Sequence, residues 1–382
     1  MIKGHRLEPL TSPSLMLQQT PAIHIDHDRL TANINAMQAI ADRAGVRLRP
    51  HAKTHKSVAI ARQQMDAGAV GLTVAKPGEA MVFLEAGIPS IKICYPIIEP
   101  GPMRDVLRLS RDKGAEIIGA VDSVEGMTAL GAVAAEFSIK LPVYLEIDVG
   151  LHRCGVAPNG EALVALGKAI DGSPHLTLLG LSAHAGHAYG ATSKDAAAAI
   201  AEEERQMMLA AKARLEAQGI TVAEISVGST PSLWAQQDFT GITEIKPGNY
   251  VFNDLTQLGI GVVGWDQLAL TVESRVVSVN ETYMIIDAGS KTLTSDLGPH
   301  GNQSITGHGR AFTSDDTPGQ HEGRVVTKLS EEHGWIAHGG EPLPIGTRLT
   351  IYPNHSCPVV NLADTKHIQY PDGTTEQWPV DA

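Results

Sequence analysis

The chain of 382 residues contains no apolar run approaching the ~18 residues that a membrane-spanning helix needs. Its first 25 residues hold neither an apolar core of signal-peptide length nor a small-residue cleavage site. Three cysteines, Cys94, Cys154 and Cys357, are too few and too scattered for a disulfide framework. A Lys/Arg block is missing as well. Thirty basic residues stand against 42 acidic ones, a net charge of −12, which argues against a nucleic-acid partner. These absences predict a soluble, cytoplasmic protein whose acidic surface serves solubility.

What is present is ordinary globular material, 43% hydrophobic and 19% charged. The length suits one large α/β barrel plus a smaller domain. From about residue 45 to 250, short β-branched runs alternate with Ala- and Leu-rich stretches. Strands are expected at 47–49, 72–74, 91–94, 116–120, 142–147, 178–182, 224–227 and 242–245, with clear helices at 28–44 and 196–218. This alternation predicts a parallel (β/α)8 TIM barrel over residues 21–260. A doubly wound open sheet is the competing arrangement, and periodicity alone does not separate the two. After Gly261 the texture turns to short strands, at 268–279, 282–287, 323–327, 334–337 and 348–352, separated by Gly, Pro and Asp turns. Residues 261–382 are therefore expected to form a β domain, with the 1–20 arm packed on it.

A barrel of this kind carries its site at the C-terminal ends of its strands. Polar segments follow five of the expected strands. They are Pro50 to Lys56, Asp148 to Gly155, His184 to Tyr189, Gly228 to Ser232, and Pro247 to Tyr250. Gly228-Ser229-Thr230 and Gly248 stand where barrels bind phosphate, although Gly-Ser-Thr is also a common loop. Lys53, among Arg49, His51, His55 and Lys56, is either a lysine kept neutral by neighbouring cations or one of a solvated basic patch. On an extended segment, His355 and Cys357 in His355-Ser356-Cys357 would point the same way and share a metal with open positions. A capped histidine beside a buried free cysteine fits the same residues.

The run Arg47-Leu48-Arg49-Pro50-His51-Ala52-Lys53-Thr54-His55-Lys56 resembles the pyridoxal phosphate (PLP) lysine segment of the D-threonine aldolase and D-serine dehydratase family, alanine-racemase-like enzymes of fold type III. The resemblance continues through Glu146-Ile147-Asp148, Arg153-Cys154-Gly155, His184-Ala185-Gly186, Val227 to Pro231 and Gly248 to Phe252. It reaches the C-terminal domain at Ile286-Asp287-Ala288-Gly289, Glu332-His333-Gly334 and Pro353 to Cys357, and so covers nearly the whole chain after Thr20.

It implies that Lys53 holds PLP and acts as a base, with His51 and His55 as proton carriers. His184 would stack on the pyridine ring and Arg153 would lie at its phenolic oxygen. Gly228, Ser229, Thr230, Gly248 and Tyr250 would hold the phosphate, with Tyr189 nearby. His355 and Cys357 would bind a divalent metal, Mn or Zn, that reaches a substrate β-hydroxyl. The implied function is a homodimeric lyase of β-hydroxy-D-amino acids, first a D-threonine aldolase and alternatively a D-serine or 3-hydroxy-D-aspartate dehydratase. The run from Pro353 to Leu362 resembles the aldolases over its full length. The cysteine at 357 is shared with the family's dehydratases, and some aldolases carry Asp there. A non-catalytic PLP-binding module would lack the β domain and the His355/Cys357 pair. A racemase would have no use for the metal.

Overall fold

The computed structural model describes residues 19–299 and 305–382. The first strand, β1 (Ala22–Asp26), leads into helix His27–Ala44. Eight parallel strands follow: β2 (Arg47–Leu48), β3 (Leu72–Val74), β4 (Ser90–Ile93), β5 (Glu116–Val121), β6 (Leu141–Ile147), β7 (Leu176–Ala183), β8 (Glu224–Val227) and β9 (Glu244–Ile245). Their order is β2-β9-β8-β7-β6-β5-β4-β3. A parallel bridge between His51 and Thr73 joins the two ends, and the Thr73 N–H donates to the Pro50 carbonyl at 2.8 Å. The sheet therefore closes into a barrel, which removes the open-sheet alternative.

Helix limits follow local capping. The Asp26 carboxylate accepts from Arg29 N–H, and Gly45 ends that helix at φ 65°, a left-handed position that suits glycine. Ser193 caps Lys194–Glu216 through Ala196 N–H, so this helix starts two residues before its expected limit. Inside the barrel, the buried Glu244 carboxylate accepts from Arg49 Nε at 2.8 Å and Lys92 Nζ at 3.0 Å. Burial alone would raise its pKa, but the two cations outweigh it and hold the carboxyl at about 2.

The second sheet comprises β10 (Leu270–Val279), β11 (Tyr283–Ile286), β12 (Gly309–Phe312), β13 (Arg324–Leu329), β14 (Gly334–Ala337), β15 (Arg348–Pro353), β16 (Thr365–Gln369) and β17 (Thr375–Pro379), together with β1. β1 runs antiparallel to β10 and parallel to β16, with Ile23 and Ile25 buried. Assigning residues 21–26 to the barrel is therefore corrected, because their apolar side chains complete the β domain. Residues 1–18 of the expected arm lie outside the described residues, while Thr20 hydroxyl donates to Asp287 Oδ2 at 2.5 Å. Two short helices, Ser290–Leu293 and Ser356–Asn361, interrupt what the sequence suggested was purely β structure. Among the described residues, no helix is long and apolar enough to cross a membrane.

Candidate active site

After β2 the chain turns through a 3-10 helix, Ala52–Thr54, capped where His51 Nδ1 accepts the Lys53 N–H at 3.2 Å. Lys53 lines a cavity of about 170 Å³ at the mouth of the barrel. His51, Arg153, His184, Tyr189, Ser229, Thr230 and Gly248 line it too, as do His355 and Cys357 from the β domain. A second cavity of about 300 Å³ shares His51, Lys53, Cys94, Glu146, Arg153 and His184, and extends towards Tyr95 and Asp148.

Burial pushes the Lys53 ammonium down, aided by Arg153 and opposed by Cys357, Cys94 and Glu79. A fraction of neutral amine is what carbonyl chemistry on a lysine requires. His51 and His184 are held well below the usual histidine range, by burial first and then by Lys53. His184 is a neutral imidazole whose Nδ1–H donates to the Gly228 carbonyl at 3.1 Å. Buried Glu204 ties this region together, accepting from Ala185 N–H at 3.0 Å and Gly228 N–H at 3.3 Å.

The metal candidates are presented differently from the expected extended segment. His355 is the extended N-cap, but Cys357 lies in the first turn of helix Ser356–Asn361. Pro358 is tolerated beside it because first-turn N–H groups have no partner inside the helix. His355 Nδ1–H donates to Asp296 Oδ2 at 2.7 Å, and Cys357 Sγ lies 3.2 Å from Thr54 Oγ1. Burial lowers the His355 pKa, yet Cys357 and Asp296 outweigh it and push the imidazole up to about 10. The negative groups that hold a proton there are the groups that would hold a cation. Between the two, Ser356 N–H donates to Asp254 Oδ2 at 2.9 Å and its hydroxyl to Asn249 Oδ1 at 2.6 Å. Asn249 itself donates to Asp254 at 2.6 Å, so the pair is pinned to the loop after β9. Among the described residues, no cluster of three or more His, Cys, Asp or Glu could hold a metal.

Three expected residues do not line these cavities. His55 is buried, with Nδ1 accepting the Ser57 N–H at 3.0 Å and its ring edge-on to Phe83. Burial and Lys366 hold its pKa down at about 3. Gly228 has its N–H on Glu204, and its φ of 113° serves the turn. Tyr250 accepts from Gln64 Nε2 at 2.9 Å, and its N–H donates to Thr230 Oγ1 at 3.1 Å. Gly228 and Tyr250 thus support the lining residues from behind. Sequence reasoning missed Lys246, Glu146, Cys94, Asn249 and Asp296. Glu146 and Asn249 sit inside quoted motifs and could have been found there. Lys246 donates to the carbonyls of Ala183 and Ser226, so a second cavity lysine is already engaged.

The fold and this cavity define an alanine-racemase-like protein. The sequence matches the alanine racemase N-terminal domain family over residues 25–255, and a second family, named for serine dehydratase, over 269–369. The chain belongs to the D-threonine aldolase and D-serine dehydratase family. It is 36% identical to the D-threo-3-hydroxyaspartate dehydratase of Delftia sp. (strain HT23), covering 96% of this chain and 98% of that one. The structure of that enzyme superposes with a TM-score of 0.87 over the same shares at 34% identity, and a cysteine-to-alanine mutant of it is described in a metal-free form. The D-threonine aldolase of Arthrobacter sp. is 30% identical over 100% of this chain and 98% of its own. The D-threonine aldolase structure from Filomicrobium marinum gives a TM-score of 0.84 at 28% identity, covering 95% of each chain.

Proposed function

We propose that the protein is a PLP- and divalent-metal-dependent lyase of β-hydroxy-D-amino acids that dehydrates its substrate to a keto acid and ammonia. The observation that carries this reading is one cavity, lined by Lys53 from the barrel and by His355 and Cys357 from the β domain. The residues fit both groups. Glu146 Oε1 is buried without a hydrogen-bond partner among the described residues, an acceptor on the wall of a cavity that Lys53, Arg153 and Lys246 also line. At Gly248 an added Cβ would come within 3.0 Å of Thr54 Oγ1 and 3.1 Å of the His51 carbonyl, so only glycine lets the loop after β9 pack this closely on the segment that carries Lys53.

Lys53 would hold the cofactor, Ser229, Thr230 and Gly248 its phosphate, His184 its ring and Arg153 its phenolic oxygen, with Tyr189 alongside. His355 and Cys357 would hold the cation, with thiolate softness favouring Zn over Mn. When bound, PLP draws electrons from Cα and the cation draws them from the β-oxygen. Lys53, with its ammonium below the usual range, is the cavity's base for the Cα proton. Dehydration needs no more than that from the protein. Aldehyde release needs a second base for the β-hydroxyl proton, and His51 and His184, held far down, are poor ones.

The aldolase is the second reading, favoured by the similarity to two D-threonine aldolases. A homodimer is the proposed assembly under either. Product analysis separates the two reactions. D-Threonine should give 2-oxobutyrate and ammonia, whereas glycine and acetaldehyde would establish the aldolase. L-Threonine should be inert, because inversion at Cα swings the β-hydroxyl away from His355 and Cys357. Equal turnover of both enantiomers would overturn the substrate class.

A further inference from the structure

The loop that carries Lys53 is gripped by the other domain at successive points. Asn361 Nδ2 donates to the Lys53 carbonyl at 3.3 Å and Lys366 Nζ to the His55 carbonyl at 3.4 Å. Asp381 N–H donates to the Lys56 carbonyl at 2.7 Å. Lys56 is the strained point of the loop, with a φ of 42° that side chains other than glycine's rarely adopt. Directly after it begins helix Val58–Asp66, whose N-cap Ser57 makes no side-chain capping bond. The missing cap comes from far along the chain, where the Asp381 carboxylate accepts the Val58 N–H at 2.8 Å. A carboxylate there also meets the positive end of the helix. Asp381 thus holds the carbonyl of the strained residue itself and the N–H two residues on, fixing the exit of the chain from Lys56, three positions beyond Lys53.

We propose that Asp381 is a positioning residue for Lys53, holding Lys56 in its left-handed conformation so that the amine stays in the cofactor cavity. The inference rests on the reading that Lys53 holds PLP. General packing of a terminal strand would explain burial of the tail. It would not explain why a backbone donor and a side-chain acceptor of one residue hold the strained position's own carbonyl and the first N–H of the helix that follows it. Released from Asp381, Lys56 relaxes to negative φ, the first turn of the helix frays, and Lys53 spends less time facing the cavity.

The test uses the full chain as wild type and as Asp381→Ala, Asp381→Asn and Asp372→Ala. Asp372, in the turn between β16 and β17, bonds only locally to Thr374 and serves as the control. PLP affinity is read by titrating apoprotein with PLP and following the lysine-bound chromophore. Hydrogen exchange of amides 56–60 is read in the apoprotein. Asp381→Ala should weaken PLP binding about tenfold, the scale of one lost cap plus released strain, and speed exchange locally. Asp381→Asn keeps an oxygen for the Val58 N–H and should fall between, while Asp372→Ala should match wild type. Unchanged affinity and exchange in Asp381→Ala would overturn the proposal, and so would exchange that rises uniformly along the chain. Borohydride fixes the label in wild type. A label absent from Lys53 would overturn the PLP reading itself, whereas the exchange result speaks to Asp381 alone.

Discussion

The barrel and the β domain contribute to the same cavity by different physical routes. Barrel strands all deliver their C-terminal ends to one mouth, so His51, Arg153, His184 and Ser229 converge by topology alone. The β domain has no such focus: besides Pro299, its contributions are His355 and Cys357, from one turn at the start of a six-residue helix. That turn is located by hydrogen bonds it donates to Asp296, Asp254 and Asn249 and by one it shares with Thr54, three of these four being barrel residues. The interiors differ in the same sense. The barrel encloses a charged cluster of Arg49, Lys92 and Glu244, whereas the β sheet around β1 and β16 encloses a stacked histidine pair, His24 and His367. Under the proposed function, cofactor chemistry would rest on a rigid frame and metal chemistry on a clamp. The two should be separable by mutation.

The largest separation is expected from Cys357→Ala. Turnover should fall by orders of magnitude while the cofactor chromophore persists, since PLP is held by the barrel. Loss of the chromophore together with activity would mean that the two halves are not independent. The converse variant is Glu244→Gln, which leaves Arg49 and Lys92 buried beside a neutral group and should destabilise the protein by about 3–5 kcal/mol in urea unfolding. Glu244 also sets an acid limit. Its folded pKa of about 2 lies below the ordinary 4.5, so its stabilisation is complete above pH 4.5 and is lost as pH falls from there through about 2. A smaller effect is expected of Asp296→Ala, which frees the His355 ring. Calorimetric titration with Zn²⁺ or Mn²⁺ should show affinity reduced about 10- to 100-fold with PLP binding intact. Unaltered metal affinity would remove Asp296 from the clamp.

The same contrast governs what was legible in the sequence. All eight barrel strands were expected within a few residues of their observed limits, because buried parallel strands read as compact β-branched runs between well-capped helices. In the β domain, β12, β16 and β17 were missed. Thr365–Gln369 and Thr375–Pro379 are mixed polar sequences at one end of the sheet order, half exposed, with no alternation strong enough to announce a strand. β1 was not expected as a strand and its residues were counted with the barrel, since the short pattern Ala-Ile-His-Ile-Asp does not say which partners it takes. Within the site, Lys53, His51, His355 and Cys357 were legible because their residue types carry the chemistry. His55 was not distinguishable from His51 by type, and only the 3-10 turn sends one ring to the cavity and the other to Phe83. Asp296 left no signal, because its role depends on a contact with a residue 59 positions away.

The last and smallest effect concerns the histidine pair, and it asks how much of the acid response His24 carries. His24 on β1 is buried, stacks on His367 with ring centroids 5.2 Å apart, and its Nδ1 lies 2.6 Å from Gln369 Nε2. Burial first, then His367 and Arg348, lower its pKa from 6.5 to about 4. The folded state therefore keeps His24 neutral where the unfolded chain would protonate it. Its contribution is fully present above pH 6.5 and drains away as pH falls through about 4. At pH 5 this amounts to roughly 1–2 kcal/mol, and the buried barrel histidines His51, His55 and His184, also held low, add losses of the same sign over that interval. Acidification from pH 7 to 5 should then lower the urea midpoint of the wild type. His24→Gln, which cannot take up the proton, should start less stable but change less over that interval. If the two proteins lose stability in parallel, His24 does not carry the response, and the buried barrel histidines are the groups to test next.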